Sequence, residues 1–112
     1  MKDAIELRLG DQTYSVRPTF GALVRIEQRI GKSVLALTSD DATVANIKLS
    51  EIVAVVYEAV ADVDKRIMYD QVGMHVVEGG MVEFIPFVIN YVAAGVTAGP
   101  KEALPNDGGD KS

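Results

Sequence analysis

The chain has 112 residues, 48% apolar and 24% charged, with 11 basic residues against 16 acidic ones for a formal charge of −5. That length suits one domain with a modest core, and the composition is that of a folded chain. The acidic balance disfavours nucleic acid and anionic membranes as partners, and the lack of cysteine removes disulfides, thiolate nucleophiles and thiolate zinc sites.

Residues 4–9 and 12–17 each alternate apolar and polar side chains with a period of two, and Gly10-Asp11 between them suits a tight turn. A β-hairpin is therefore predicted, with Ile5, Leu7, Leu9, Tyr14 and Val16 on one face. Two strands are marginal alone in water, so this hairpin must rest on other elements. Pro18 ends the second strand, and Thr19 can cap a helix from Phe20 to Ile30. The inner stripe is expected to be Phe20, Leu23, Ile26 with Glu27, and Ile30, with Arg25, Gln28 and Arg29 in water. Gly31 stops that helix, and a short helix over Ser33 to Leu37 follows. Thr38 to Asp41 reads as a loop.

Ser50 is the expected N-cap of a helix through Val60 that is apolar on most sides and so central to the core. Its valines favour strand locally, but its length and cap favour helix. Asp64 is expected to cap the next helix, running through Ile67, Met68, Gln71, Val72, His75 and Val76 until Gly79-Gly80 breaks it. The last helix should start near Glu83, or kink, because Pro86 is tolerated only in a first turn. It has too few uninterrupted apolar residues for a membrane span, which needs about 20. Residues 99–112 are rich in Gly, Pro and Asp and read as a flexible tail, leaving residues 1–98 as the domain. The N-terminus alternates charge and lacks the apolar run of a signal peptide.

Chemical motifs are weak. Gly31-Lys32-Ser33 resembles the end of a phosphate-binding loop, but Ile26 stands where the first glycine is required and a helix precedes it. Asp62-Val63-Asp64 suggests a calcium loop, yet its sixth and twelfth places hold Ile67 and Gly73 instead of Gly and Glu. His75 is the lone histidine, so no two-histidine metal site or His-based triad can be drawn with a second one. Glu51, Glu58, Asp70 and Glu83 form no pattern that singles out an acid–base pair. The basic pairs Arg25/Arg29 and Lys65/Arg66 read as solvated faces. No catalytic residue, cofactor or metal is expected, and the chain is read as a non-enzyme. Apolar surface is the remaining resource: Val53, Val56, Tyr57, Phe84, Phe87, Val88, Tyr91 and Val92 should supply core and partner-binding face together.

The order of segments carries a resemblance. A hairpin runs into Tyr14-Ser15-Val16-Arg17-Pro18-Thr19-Phe20, followed by Ile26-Glu27-Gln28-Arg29-Ile30-Gly31-Lys32-Ser33 and Leu35-Ala36-Leu37. Further along come Leu49-Ser50-Glu51-Ile52, Val72-Gly73, Glu78-Gly79-Gly80-Met81 and Ile85-Pro86 in a closing apolar helix. Over residues 4–98 this resembles the gene transfer agent and tailed-phage family of small tail proteins, described as tail assembly chaperones or tail tube-associated proteins.

The resemblance implies a phage-like tail assembly protein, a non-catalytic chaperone that binds the tape-measure protein or other tail proteins through apolar helical surface, working in the cytoplasm of a bacterial host or in the particle tail. It carries over no catalytic residue. The fold expected is α+β, mostly helical, with an N-terminal hairpin and four to five helices in one compact domain. A homo-oligomer is compatible with this reading. The alternatives are a structural tail component retained in the particle and, from another class, a small regulatory DNA-binding domain.

Overall fold

A computed structural model describes residues 4–38 and 47–97. Strands β1 (Ile5–Leu9) and β2 (Gln12–Val16) pair antiparallel, with Ile5 opposite Val16, Leu7 opposite Tyr14 and Leu9 opposite Gln12. Alternation puts Leu7, Leu9 and Val16 in the core, with Ile5 and Tyr14 packed at its edge. Gly10 makes the turn at φ +64°, a conformation that costs glycine no side-chain clash. The ring of His75 lies over this turn, so close that a Cβ at position 10 would sit 2.6 Å from its Cε1. The hairpin gains its stability by lying on helices: β2 packs on the second helix and β1 on the third.

Helix α1 (Phe20–Ile30) begins where the Thr19 hydroxyl accepts the Ala22 N–H at 3.1 Å. It ends at Gly31, whose φ of +73° and N–H to the Glu27 carbonyl make a left-handed cap. Its inner stripe is Ala22 and Ile26, with Leu23 and Ile30 at the margin. Phe20, expected in that stripe, is 84% exposed. As the first helical residue it precedes the turn that Ala22 and Ile26 press onto the core. A 3-10 helix, Val34–Leu37, follows, with the Ser33 hydroxyl accepting the Leu35 N–H.

Helix α2 (Leu49–Ala61) is the centre of the fold, touching α1, β2 and both later helices. Ile52, Val53, Ala54, Val55, Val56, Ala59 and Val60 are all buried, so tertiary burial overrides the strand preference of its valines. It starts one residue before the expected cap, and Ser50 lies in its first turn. The N-cap is Lys48, whose N–H donates to Glu51 Oε1 at 2.9 Å, the reach-back half of a capping box.

Helix α3 (Tyr69–Gly79) starts later than expected, after Met68. Asp64 does not cap it. Its carboxylate instead takes the Arg66 N–H at 3.0 Å in a tight turn and the Tyr14 hydroxyl at 3.3 Å, which pins the turn to the hairpin. Burial raises the Tyr14 phenol above its ordinary pKa, and the neighbouring Asp64 charge adds to the shift.

After Gly79-Gly80 the chain turns through 118° into α4 (Met81–Val96). This helix begins at Met81, two residues before the expected Glu83, so Pro86 lies beyond the first turn and deprives the Val82 carbonyl of its ordinary donor. Val82 itself lies on the exposed side of the helix. At the far end α4 passes close to α1: a Cβ at Gly95 would lie 2.8 Å from Leu23 Cδ1 and 3.0 Å from Pro18 Cβ. Among the described residues no single helix is long and apolar enough to cross a membrane. The architecture is α+β and mostly helical, as the periodicities predict. Most of the 38–41 loop and the 99–112 tail lie outside the described residues.

Candidate interaction site

Of the eight side chains expected to serve core and partner together, Val53, Val56, Phe84, Phe87, Val88, Tyr91 and Val92 are buried in the core cluster. Tyr57 is half-buried at its edge. Phe87 and Tyr91 stack at 5.6 Å between centroids. Tyr91 is fully buried, burial raises its phenol well above the ordinary range, and its hydroxyl donates to the Arg17 carbonyl at 3.4 Å. These residues hold α4 on α2 and present little of themselves to solvent.

A buried carboxylate organises the α1–α2 seam. Glu58 is 3% exposed within an otherwise apolar stretch of α2. Arg25 Nε donates to one of its oxygens at 2.8 Å and Arg29 Nε to the other at 2.6 Å. The two arginines stand four residues apart, one helical turn, so both reach across from the same face of α1. Arg25 also donates to Asp62 Oδ1 at 3.0 Å, and Asp62 Oδ2 accepts the Thr19 hydroxyl at 2.6 Å, tying the α1 N-cap to the end of α2. Hydrogen bonding to Glu58 is the largest influence on the Arg25 guanidinium and raises its pKa further. Arg29 lies against the rings of Tyr57 and Tyr69 at 4.9 and 4.8 Å, and those rings meet edge to face at 5.4 Å. The expected solvated face is thus a clamp. A carboxylate in the middle of a valine-rich helix was the signal for it, since a buried charge needs partners.

Glu51 is the second buried carboxylate. Lys32 Nζ reaches it at 2.6 Å, so the lysine of Gly31-Lys32-Ser33 is an ion-pair partner at a helix stop. Burial pushes the Glu51 pKa up, but hydrogen bonds from Lys32 and the Lys48 N–H, with both positive charges, outweigh it and hold the group below its ordinary 4.5. A depressed carboxylate contributes stability that is present above its unfolded-state pKa and lost as pH falls through the folded one. Unfolding midpoints measured from pH 7 down to pH 3 should therefore fall below about pH 4.5, and Glu51→Gln should flatten part of that fall while lowering stability at pH 7. An unchanged pH profile in the variant would contradict this account.

Two surface features remain. On α3, Met74 and Val77 are each 62% exposed and three residues apart, so they share a face. With Gly73 and Glu78 they line a shallow apolar notch of about 340 Å3. A Cβ at Gly73 would meet only Val53 Cγ1, at 4.0 Å, so the core does not demand glycine there. A glycine inside a helix costs about 0.5–1 kcal/mol relative to alanine, and here it lowers the wall of the notch. Met68, just before this helix, and Val82, in the first turn of α4, are also exposed. The second feature is a cavity of about 530 Å3 between β1 and the α3–α4 corner, with Leu7, Phe84 and Phe87 in its lining and Glu6, Glu78 and Glu83 among its polar walls. Arg8 and His75 also line it.

The described residues thus form a small, mostly helical scaffold with clamped helices and several apolar side chains left on its surface. The chain belongs to the family described as phage tail tube protein, GTA-gp10, whose model matches residues 2–97. It is therefore a phage or gene transfer agent tail component, as the order of its segments suggested, and the family is one of structural tail proteins rather than a known enzyme class. No curated protein and no solved structure matches the chain.

Proposed function

We propose that this tail protein engages the tape-measure protein during tail assembly, as a chaperone that keeps that long helical chain soluble until tube subunits surround it. The observation that carries this reading is the Met74–Val77 notch on α3. Methionine and valine side chains left 62% exposed around a bare glycine backbone suit the apolar stripe of a partner helix. Methionine is flexible and polarizable, so it adapts to a repetitive partner whose contacts change along its length. Val53, Val56, Tyr57, Phe84, Phe87, Val88, Tyr91 and Val92 serve this face mainly as its rigid backing. The contact forms in the cytoplasm of the bacterial host, before the particle is complete.

Met74→Asp combined with Val77→Asp should weaken binding to the co-expressed tape-measure protein roughly tenfold or more, since two apolar contacts are replaced by charges. The thermal midpoint should hardly move, because exposed substitutions rarely shift stability by more than about 0.5 kcal/mol. Pull-down and circular dichroism read the two effects, and binding that survives in the folded variant refutes the assignment.

The family's description as a tube protein favours a second reading, in which the protein stays in the finished tail. Mass spectrometry of purified particles separates the two: a chaperone is absent or sparse, a retained component stoichiometric.

A further inference from the structure

We infer that the cavity between β1 and the α3–α4 corner receives the Lys65-Arg66 turn of a second copy of this chain, giving a head-to-tail contact between protomers. The cavity combines an apolar lining from Leu7, Phe84 and Phe87 with three carboxylates, Glu6, Glu78 and Glu83, which outnumber its single arginine, Arg8, beside the His75 ring. Such a site fits a long cationic side chain, whose methylenes lie on the rings while its charged end meets the acids. Phe84 and Phe87 hold α4 in the core and keep a small exposed edge, 8% each, so the lining is rigid.

The same chain carries the complementary shape. Between α2 and α3, Lys65 and Arg66 project from a turn flanked by the exposed side chains of Val63 and Met68. The Arg66 side chain is 95% exposed, and its guanidinium meets Asp64 only at 3.8 Å. Asp64 itself is held by the Tyr14 hydroxyl and the Arg66 N–H, which fixes the turn while leaving the cationic tip outward. A basic, partly apolar projection thus faces one way and an acidic, apolar-floored cavity another.

A protomer cannot fill its own cavity. The turn precedes the start of α3 and the cavity lies at its end, and the 11 residues of that helix span roughly 16 Å. Two different patches on each copy make the contact heterologous, so it propagates from copy to copy and either closes into a ring or continues as a stack. A contact of this size is at the small end for stable complexes, so association should be weak, concentration-dependent and sensitive to salt. It shares only Glu78 with the Met74–Val77 notch and does not depend on the tape-measure reading.

Sedimentation velocity on the full-length protein at rising concentration, in low and high salt, tests this. The wild type should associate at low salt and dissociate at high salt. Glu6→Lys with Glu83→Lys, and separately Lys65→Glu with Arg66→Glu, should each weaken association about tenfold or more, because like charges then face each other. Glu78 is left intact because it also borders the notch. An equimolar mixture of the two folded variants should associate again, since each supplies the charge the other has reversed. A wild type that stays monomeric at low salt, variants that associate like the wild type, or a mixture that does not recover would each overturn the contact. Loss of tape-measure binding in the cavity variant alone, with self-association intact, would assign the cavity to a foreign basic segment instead.

Discussion

Replacing Arg25 and Arg29 together by Met should destabilise the protein by about 3–5 kcal/mol, a large part of the stability of a domain this size. The reason lies in what remains. Glu58 is 3% exposed, and both of its oxygens lose their donors at 2.8 and 2.6 Å, leaving a carboxylate without its two cations in an apolar seam. The arginines themselves are nearly half-exposed, so their own removal takes away comparatively little buried surface. Adding Glu58→Met to the double variant should therefore recover most of the loss, since a buried ion pair replaced by apolar groups of similar size is often neutral. Urea unfolding of wild type, double and triple variants measures this. A triple variant no more stable than the double would show that the arginines act through Asp62, Tyr57 and Tyr69 instead.

Tyr91→Ala should cost a similar amount, about 3–5 kcal/mol, because truncating a fully buried aromatic leaves a cavity that a packed core closes only in part. Tyr91→Phe should cost only about 1 kcal/mol, the net worth of one hydrogen bond to the Arg17 carbonyl at 3.4 Å. The pair also bears on function. If Tyr91 backs the partner face without touching the partner, tape-measure binding by Tyr91→Phe should match the wild type, and any weakening in Tyr91→Ala should follow its loss of folded protein. A folded Tyr91→Phe variant that binds poorly would make the hydroxyl a direct contact.

Several elements were legible from neighbouring residues alone. The alternation on either side of Gly10-Asp11 marks the hairpin, and Thr19 and Gly31 mark the two ends of α1. Gly79-Gly80 marks the corner before α4. Other starts were misread for equally local reasons. Ser50 is a better N-cap by type than Lys48, but Glu51 supplies the reach-back hydrogen bond that fixes the helix start. Asp64 has the chemistry of a cap, but its carboxylate is taken by Tyr14, 50 residues earlier in the chain, and by its own turn.

The candidate site was the least legible part. Periodicity identifies an apolar stripe on a helix with a wet side, but α2 and α4 are apolar nearly all round, so no stripe says which residues stay outside. Phe84 and Phe87 look as suited to a partner as Met74 and Val77 do. Helix packing decides which of them stay exposed, by placing α4 on α2 and turning the outer face of α3 away from both.

The sequence by itself determined the class of fold, the positions of the main breaks and the family, because each of these is written in residue types within a few positions of one another or in their order. Only the tertiary structure decided that Arg25 and Arg29 clamp Glu58, that Phe20 lies outside, and that an acidic cavity and a basic turn sit at opposite ends of α3. Burial, and the pairing of charges that burial demands, depend on neighbours some 30 or more residues away, and no local pattern contains them.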